Sequence, residues 1–185
     1  MALTYTPENE LGAACPDFTL KGTDLKNHSL KEFQNGKPLV VMFICNHCPY
    51  VKAIEDRLIE LGHDLRKMEV NLVAICSNDS TDYPEDTFEN LKKRAEAKEY
   101  PFVYLHDETQ DIAHKFGAVC TPDFFVYDSA CKLSYRGRLD DSWKEPSKVT
   151  KRELFEAVKL LVKHQPAPTK QTPSMGCSIK WAHND

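Results

Sequence analysis

The sequence predicts an α/β fold in which a mixed central sheet is flanked by helices. Three observations carry this. Apolar runs of strand length alternate with segments of helical periodicity. The turn Asp128-Ser129-Ala130 joins two strand-like runs, adding an antiparallel hairpin to otherwise parallel strands. Cys45-Asn46-His47-Cys48 stands where an apolar run gives way to an amphipathic segment. That is the carboxyl end of a central strand, where open α/β sheets place their sites.

Residues 1–38 read as loop and short strands. Pro16-Asp17-Phe18-Thr19-Leu20 starts one strand, and Asn35-Gly36-Lys37-Pro38 turns the chain into the core. Leu39 to Ile44 is continuously apolar, as a strand buried on both faces requires. Pro49 suits a first helical turn, and Val51, Ile54, Leu58, Leu61 and Leu65 share one helix face. Leu72 to Cys76 is a second buried strand, followed by polar loop from Ser77 to Tyr83. Pro84-Glu85-Asp86 opens a helix to about Lys98, with Phe88, Leu91 and Ala95 inward and acids in its first turn. Phe102 to Leu105 is a third strand, and Thr109 to Phe116 a short helix closed by Gly117. Phe124 to Tyr127 and Lys132 to Arg136 form the hairpin. Thr150-Lys151-Arg152-Glu153 has the form of a capping box, starting a helix with Leu154, Phe155, Val158, Leu161 and Val162 inward. After His164, Pro166, Pro168 and Pro173 predict an extended tail. The expected organisation is one domain over residues 1–165 and a proline-rich tail over 166–185, without internal repeats.

Hydrophobic residues make up 41% of the chain and charged ones 28%, with a net charge of −4, as a globular chain with a sizeable core would have. This balance carries no electrostatic footprint for nucleic acid or an anionic membrane. No apolar run approaches the ~20 residues of a membrane span. The start Met1-Ala2-Leu3-Thr4-Tyr5-Thr6-Pro7-Glu8 lacks a basic and then apolar leader, so the expected compartment is the cytoplasm.

Seven cysteines in a chain of this size do not read as a disulfide framework. A close pair at a helix N-terminus reads instead as a redox dithiol, because free N–H groups and the helix dipole favour the attacking thiolate. A structural zinc site would need a second such pair, which the sequence lacks. His47 is in place to stabilise a Cys45 thiolate; otherwise it is an exposed loop histidine. Cys120 reads as a further redox thiol, a soft-metal ligand or a small buried hydrophobe. Cys177 reads as a resolving thiol in the tail or a free one, with Trp181 anchoring the tail to the body. Cys15, Cys76 and Cys131 read as packing or bystander residues, and Asp140 and Asp141 as a salt-bridged surface loop. His106 and His114 are scattered along the chain.

The strand, Cys45-x-x-Cys48, the helix and Thr121-Pro122 before a hairpin resemble the thioredoxin fold. The leading segment with Pro16-Asp17-Phe18 and the helix inserted around 85–98 resemble its redoxin branch, the AhpC/TSA type that includes peroxiredoxins, over residues 10–165. Cys-Asn-His-Cys-Pro-Tyr-Val and Pro-Ser-Met-Gly-Cys-Ser-Ile-Lys-Trp resemble an uncharacterised group within that branch. The resemblance implies that Cys45 attacks, Cys48 resolves, and Thr121-Pro122 holds substrate with Pro122 as a cis-proline. Two positions depart from thioredoxin: Leu39 replaces a buried acid, and proline follows the second cysteine. On the peroxiredoxin pattern, Cys48-Pro49 would be the peroxide-attacking site, with Cys45 replacing a threonine.

The implied activity is thiol–disulfide exchange on protein or small-molecule disulfides, without an organic cofactor or resident metal. An external dithiol donor, such as a thioredoxin or glutathione system, would reset the pair. Two alternatives stand beside it. One is a thiol peroxidase with a sulfenate at Cys48 or Cys45, resolved by the other motif cysteine, Cys120 or Cys177. The other is a copper(I) carrier using the pair and Cys120.

Overall fold

The computed structural model describes residues 3–7 and 10–182. Residues 1, 2, 8 and 9, within the segment read for a leader, and 183–185 of the tail lie outside the described residues. In chain order the elements are β1 (Leu3–Tyr5), β2 (Thr19–Gly22), β3 (Asn27–Ser29), α1 (Leu30–Phe33), β4 (Leu39–Phe43), α2 (Pro49–Lys67), β5 (Asn71–Cys76), α3 (Phe88–Ala97), β6 (Val103–His106), α4 (Asp111–Phe116), β7 (Cys120–Thr121), β8 (Asp123–Tyr127), β9 (Leu133–Arg136), α5 (Glu153–Val162) and β10 (Met175–Ser178).

Seven strands form the central sheet in the order β3-β2-β6-β5-β4-β8-β9. β4, β5 and β6 run parallel, while β2, β8 and β9 pair antiparallel, giving the expected mixed sheet. Alternate residues of β4 feed two cores. Val40 and Met42 pack with Leu58, Leu61 and Leu65 of α2 and Leu154 and Val158 of α5. Leu39, Val41 and Phe43 pack on the other face with Phe18, Leu30, Ile112 and Phe116. The three α2 leucines are at most 1% exposed, so each burial contributes about 1.5–3 kcal/mol.

Three local expectations are corrected. The helix expected from Pro84 is split into a 3₁₀ turn, Pro84–Asp86, and α3, because Thr87 is extended between them. Thr150 does not cap α5: its amide and hydroxyl both donate to Asp141, and the helix starts at Glu153 without a side-chain cap. The capping box sits instead at Ser29 and Glu32 of α1. The tail is not simply extended beyond the body. β10 pairs with β1 on one side and β7 on the other in a second, three-stranded sheet.

No described helix is long and apolar enough to cross a membrane.

Candidate active site

β4 ends at Phe43, and the chain then runs through Cys45 to Cys48, the residue that precedes α2. Pro49 opens the helix, so Cys48 and not Cys45 stands at its N-terminus. Cys45 is 1% exposed and Cys48 is fully buried. All seven cysteines are unbridged.

The Thr121–Pro122 peptide bond is cis, and this segment lies directly against both sulfurs. Cys48 Sγ is 3.1 Å from the Thr121 carbonyl oxygen, which accepts its proton in the thiol form. Cys45 Sγ is 3.3 Å from Thr121 Oγ1. Strand alternation gives this face to Thr121. Cys120 donates to the Pro122 carbonyl at 3.8 Å instead.

The two motif sulfurs are driven apart electrostatically. The Cys48 thiol is pushed down to about 5, first by its hydrogen bond from Cys45, and then, against the cost of burial, by the Val51 amide of the first helical turn, Cys177 and Thr121. The Cys45 thiol is pushed well up by burial, by its contact with Cys48 and by the Asp86 carboxylate. The sequence reading has Cys45 attacking, whereas the groups that favour a thiolate gather here around Cys48. Pro49 starts the helix after the second cysteine, so that the free Val51 amide of the first turn serves Cys48.

His47 is buried rather than exposed, and its Nδ1 lies 3.7 Å from Cys45 Sγ. That nitrogen is already committed to Asp86 Oδ2 at 2.5 Å. A carboxylate only accepts, so Nδ1 carries the proton. His47 also stacks on Tyr83 at 4.4 Å, and its Nε2 has no hydrogen-bond partner among the described residues. Asp86 further accepts the Asn46 amide at 2.7 Å, the His47 amide at 3.2 Å and Asn78 Nδ2 at 2.9 Å. Burial works to raise its carboxyl, but the hydrogen bonds from His47 and Asn78 hold it below the usual carboxylate range. Asp86 thus fixes the whole Cys45–Cys48 loop from the inserted segment. That segment is clamped to α2 by Glu55, which accepts two 2.7 Å bonds from Arg94 and one of 2.6 Å from Tyr100.

Cys45, His47 and Asp86 are the group among the described residues whose ligand atoms approach closely enough to hold a metal. Cys120, the third ligand expected for copper, is not in it. The short bond between His47 and Asp86 makes the group a hydrogen-bond network.

Cys177, expected on a free tail, is 1% exposed in β10. It faces Thr121 in register, and its thiol reaches Cys48. The strand can approach because residue 176 is glycine: a Cβ there would come within 1.9 Å of the Thr121 oxygen. Trp181 anchors the tail as expected, stacking on His114 at 4.2 Å. His106, Cys15 and Cys131 take no part in the centre. Asp140 is buried and accepts from Arg57, whereas Asp141 is half-buried and accepts from Thr150 and Lys151. Beside Pro122 lies a cleft of about 170 Å³, whose lining includes Tyr5, Tyr50, Trp143 and Met175. Tyr50 and Trp143 pack there with ring centroids 4.6 Å apart.

The residues missed from sequence are Asp86, Asn78 and Tyr83. Asp86 reads there like its neighbour Glu85, as one of two acids in a first helical turn.

The sequence profile of the AhpC/TSA family matches residues 11–136. No curated protein matches. Among solved structures, an uncharacterized conserved protein from Geobacillus kaustophilus is 41% identical, with a TM-score of 0.94 over 100% of this chain and 99% of that one. A hypothetical protein from Sinorhizobium meliloti is 36% identical, with a TM-score of 0.91 over 98% of this chain and all of that one. The thioredoxin domain of a thiol-disulfide oxidoreductase from Bacteroides vulgatus shares the fold at 16% identity, with a TM-score of 0.63 over 84% and 99% of the two chains.

Proposed function

The chain belongs to the AhpC/TSA family, and from that premise we propose that it is a thiol–disulfide oxidoreductase with Cys48 as the attacking sulfur. The observation that carries this reading is the depressed Cys48 thiol at the start of α2, with the Cys45 thiol beside it as hydrogen-bond donor. A thiolate at neutral pH is the species that attacks a disulfide.

The Cys48 thiolate displaces one thiolate from the substrate disulfide and becomes a mixed disulfide. Cys45 then loses its proton to the departing thiolate, attacks Cys48 Sγ and expels the second half of the substrate. The Cys45–Cys48 disulfide closes, and an external dithiol reduces it. Thr121 and Pro122 hold the substrate backbone. The aromatic cleft beside Pro122 takes an apolar side chain flanking the substrate disulfide. His47 and Asp86 are positioning residues: they hold the loop that carries Cys45.

The peroxidase reading shares the Cys48 thiolate and the Cys48-Pro49 pattern. Its threonine position is Cys45, and Arg136, the arginine downstream of Pro122, is engaged with Asp123 at 2.9 Å. The test is a pair of rates on the reduced protein, one with a model protein disulfide and one with hydrogen peroxide. Catalytic turnover of the disulfide, abolished in Cys48→Ser, with a peroxide rate near that of a free thiolate, supports exchange. A peroxide rate orders of magnitude higher, with a sulfenate trapped at Cys48, overturns it.

A further inference from the structure

Cys48 has two thiol neighbours, not one. Cys45 reaches it from the β4–α2 loop and Cys177 from the C-terminal strand β10, and both favour its thiolate. Cys177 is held in place from several directions. Its strand is paired with β1 and β7, opposite Leu3 and Thr121. Ser174 Oγ donates to the Pro122 carbonyl at 2.8 Å just before it. Just after it, the Ile179 amide donates to Val119 at 3.0 Å. The Lys180 amide donates to Asn78 Oδ1 at 2.9 Å, and Asn78 in turn donates to Asp86. Residues 174–180 are therefore wired both to the cis-proline segment and to the carboxylate that holds the dithiol loop. All three sulfurs are at most 1% exposed and share one hydrophobic cluster with their surroundings or border it.

We propose that Cys177 is a third redox thiol of this centre, so that Cys48 forms two mutually exclusive disulfides, one with Cys45 and one with Cys177. The second bolts the C-terminal strand over the site. The proposal rests on the reading of Cys48 as the attacking sulfur. A substrate disulfide first converts the Cys48 thiolate to a mixed disulfide and releases one thiolate. Cys177 then attacks Cys48 Sγ; the Cys48–Cys177 bond forms as the bond to the remaining substrate half breaks. The Cys177 proton goes to that departing thiolate. Cys177 is oxidised together with Cys48, and the substrate disulfide is reduced to two thiols. The same attack on a Cys45–Cys48 disulfide frees Cys45 and moves the bond to Cys177 without a further oxidant.

The resting electrostatics suit this order. Burial, then the neighbouring Cys48, pushes the Cys177 thiol up to about 12. Once Cys48 is in a mixed disulfide its negative charge is gone, and the Lys180 ammonium still favours ionisation of Cys177. Cys177 thus stays protonated until Cys48 has reacted. Cys120, the other candidate third thiol, turns to the Pro122 carbonyl.

The experiment uses the full chain, reduced, with a limiting amount of glutathione disulfide, followed by acid quenching, alkylation and peptide mass mapping. In Cys45→Ser the expected product is a Cys48–Cys177 disulfide, with no glutathione left on the protein. In Cys45→Ser with Cys177→Ser, the glutathione adduct stays on Cys48. In the wild type, early quenching reveals both linkages. If Cys45→Ser keeps its adduct while Cys177 is alkylated, the third-thiol proposal is overturned and the exchange reading stands. Should Cys45→Ser not fold, the wild type decides: a Cys45–Cys48 linkage alone at every time point overturns the proposal. A wild type that neither takes up glutathione nor forms a disulfide overturns both readings.

Discussion

The Asp86 carboxylate lies 2.5 Å from His47 Nδ1 and accepts the backbone amide of Asn46 at 2.7 Å, so one buried acid from an inserted segment holds the redox loop by side chain and by backbone.

Replacing that acid therefore acts on stability and on the dithiol together. Asp86→Ala leaves buried donors unpaired and is expected to cost about 3–5 kcal/mol in denaturant unfolding. The carboxyl is depressed in the folded state, so its stabilising contribution is present above the unfolded value of 3.8 and is lost as pH falls through the folded one. The wild type should lose this contribution only below about pH 4. Asp86→Asn should lack that acid dependence, and its Cys45 thiol should ionise at lower pH because a repelling charge is gone. An unchanged Cys45 ionisation, followed by thiolate absorbance, would contradict the arrangement.

The Cys48 thiolate makes a second pH prediction. Its folded value of about 5 lies below the ordinary 9.0. Its contribution is therefore fully present above about pH 9 and lost as pH falls through about 5. Reduced wild type should gain stability over Cys48→Ala as pH rises across that window, and level off outside it. Thiolate absorbance should titrate near the lower end and disappear in Cys48→Ala. In Cys45→Ala the midpoint should rise, because the first of the groups favouring the thiolate is removed. A midpoint near the ordinary cysteine value in the wild type would remove the basis for Cys48 as attacker.

The fold was legible because β4, β5 and α2 obey their own periodicities: Leu39 to Phe43 is buried throughout, and Ile54, Leu58, Leu61 and Leu65 line one face. The dithiol, Thr121 and Pro122 were legible for a similar reason, since a strand end, a helix start and a proline are local signals. The electrostatic contrast between the two sulfurs was not. It depends on which cysteine meets the helix N-terminus and on Asp86, which approaches from 39 residues away. The role of the tail was hidden too. Met175 to Ser178 carries little strand propensity of its own, and three prolines precede it. It becomes a strand only because β1 and β7 offer it partners across a gap that Gly176 can enter.

Gly176 is therefore a sensitive position. An added Cβ would meet the Thr121 carbonyl at 1.9 Å, and neither strand backbone can yield as a flexible side chain would. Gly176→Ala should lift β10 from β7 and lower stability by about 1–3 kcal/mol. Cys45 and Cys48, now shielded, should react faster with a neutral alkylating agent. Hydrogen exchange over residues 175–178 should speed up while α2 stays protected. Unchanged protection of that strand would mean that the close approach does not hold it.

The cleft beside Pro122 makes a prediction about specificity. Trp143 is 40% exposed and packs on Tyr50 at 4.6 Å, so its removal leaves the cores intact. Trp143→Ala should raise KM for a disulfide peptide with a bulky apolar flank by about 5–30-fold, the equivalent of one or two kcal/mol, and leave kcat nearly unchanged. A small polar disulfide should be affected far less. Equal loss on both substrates would assign the tryptophan to structure alone.

The residue after Pro122 is secured by a buried ion pair, which ties the cis-proline segment to β9. Arg136 donates to Asp123 at 2.9 Å and 3.4 Å and to the Gly117 carbonyl at 2.7 Å. Burial raises the Asp123 carboxyl to about 6, with Arg136 opposing the rise. A raised value means that its favourable contribution is complete below the unfolded 3.8 and is lost as pH climbs through about 6. In Arg136→Met the opposing charge is gone, and the carboxyl must bind a proton or remain buried and unpaired. The penalty relative to wild type should therefore be small near pH 5, where Asp123 is mostly protonated in both proteins. It should grow to about 3–5 kcal/mol near pH 8. Arg136→Met with Asp123→Asn removes the unpaired charge and should flatten that rise. Disulfide turnover should follow the same pH trend in the single variant, because Asp123 adjoins the cis-proline that lies against both sulfurs. A penalty independent of pH would show that Arg136 acts through packing on Phe125, whose ring it overlies at 4.4 Å, rather than through the carboxylate.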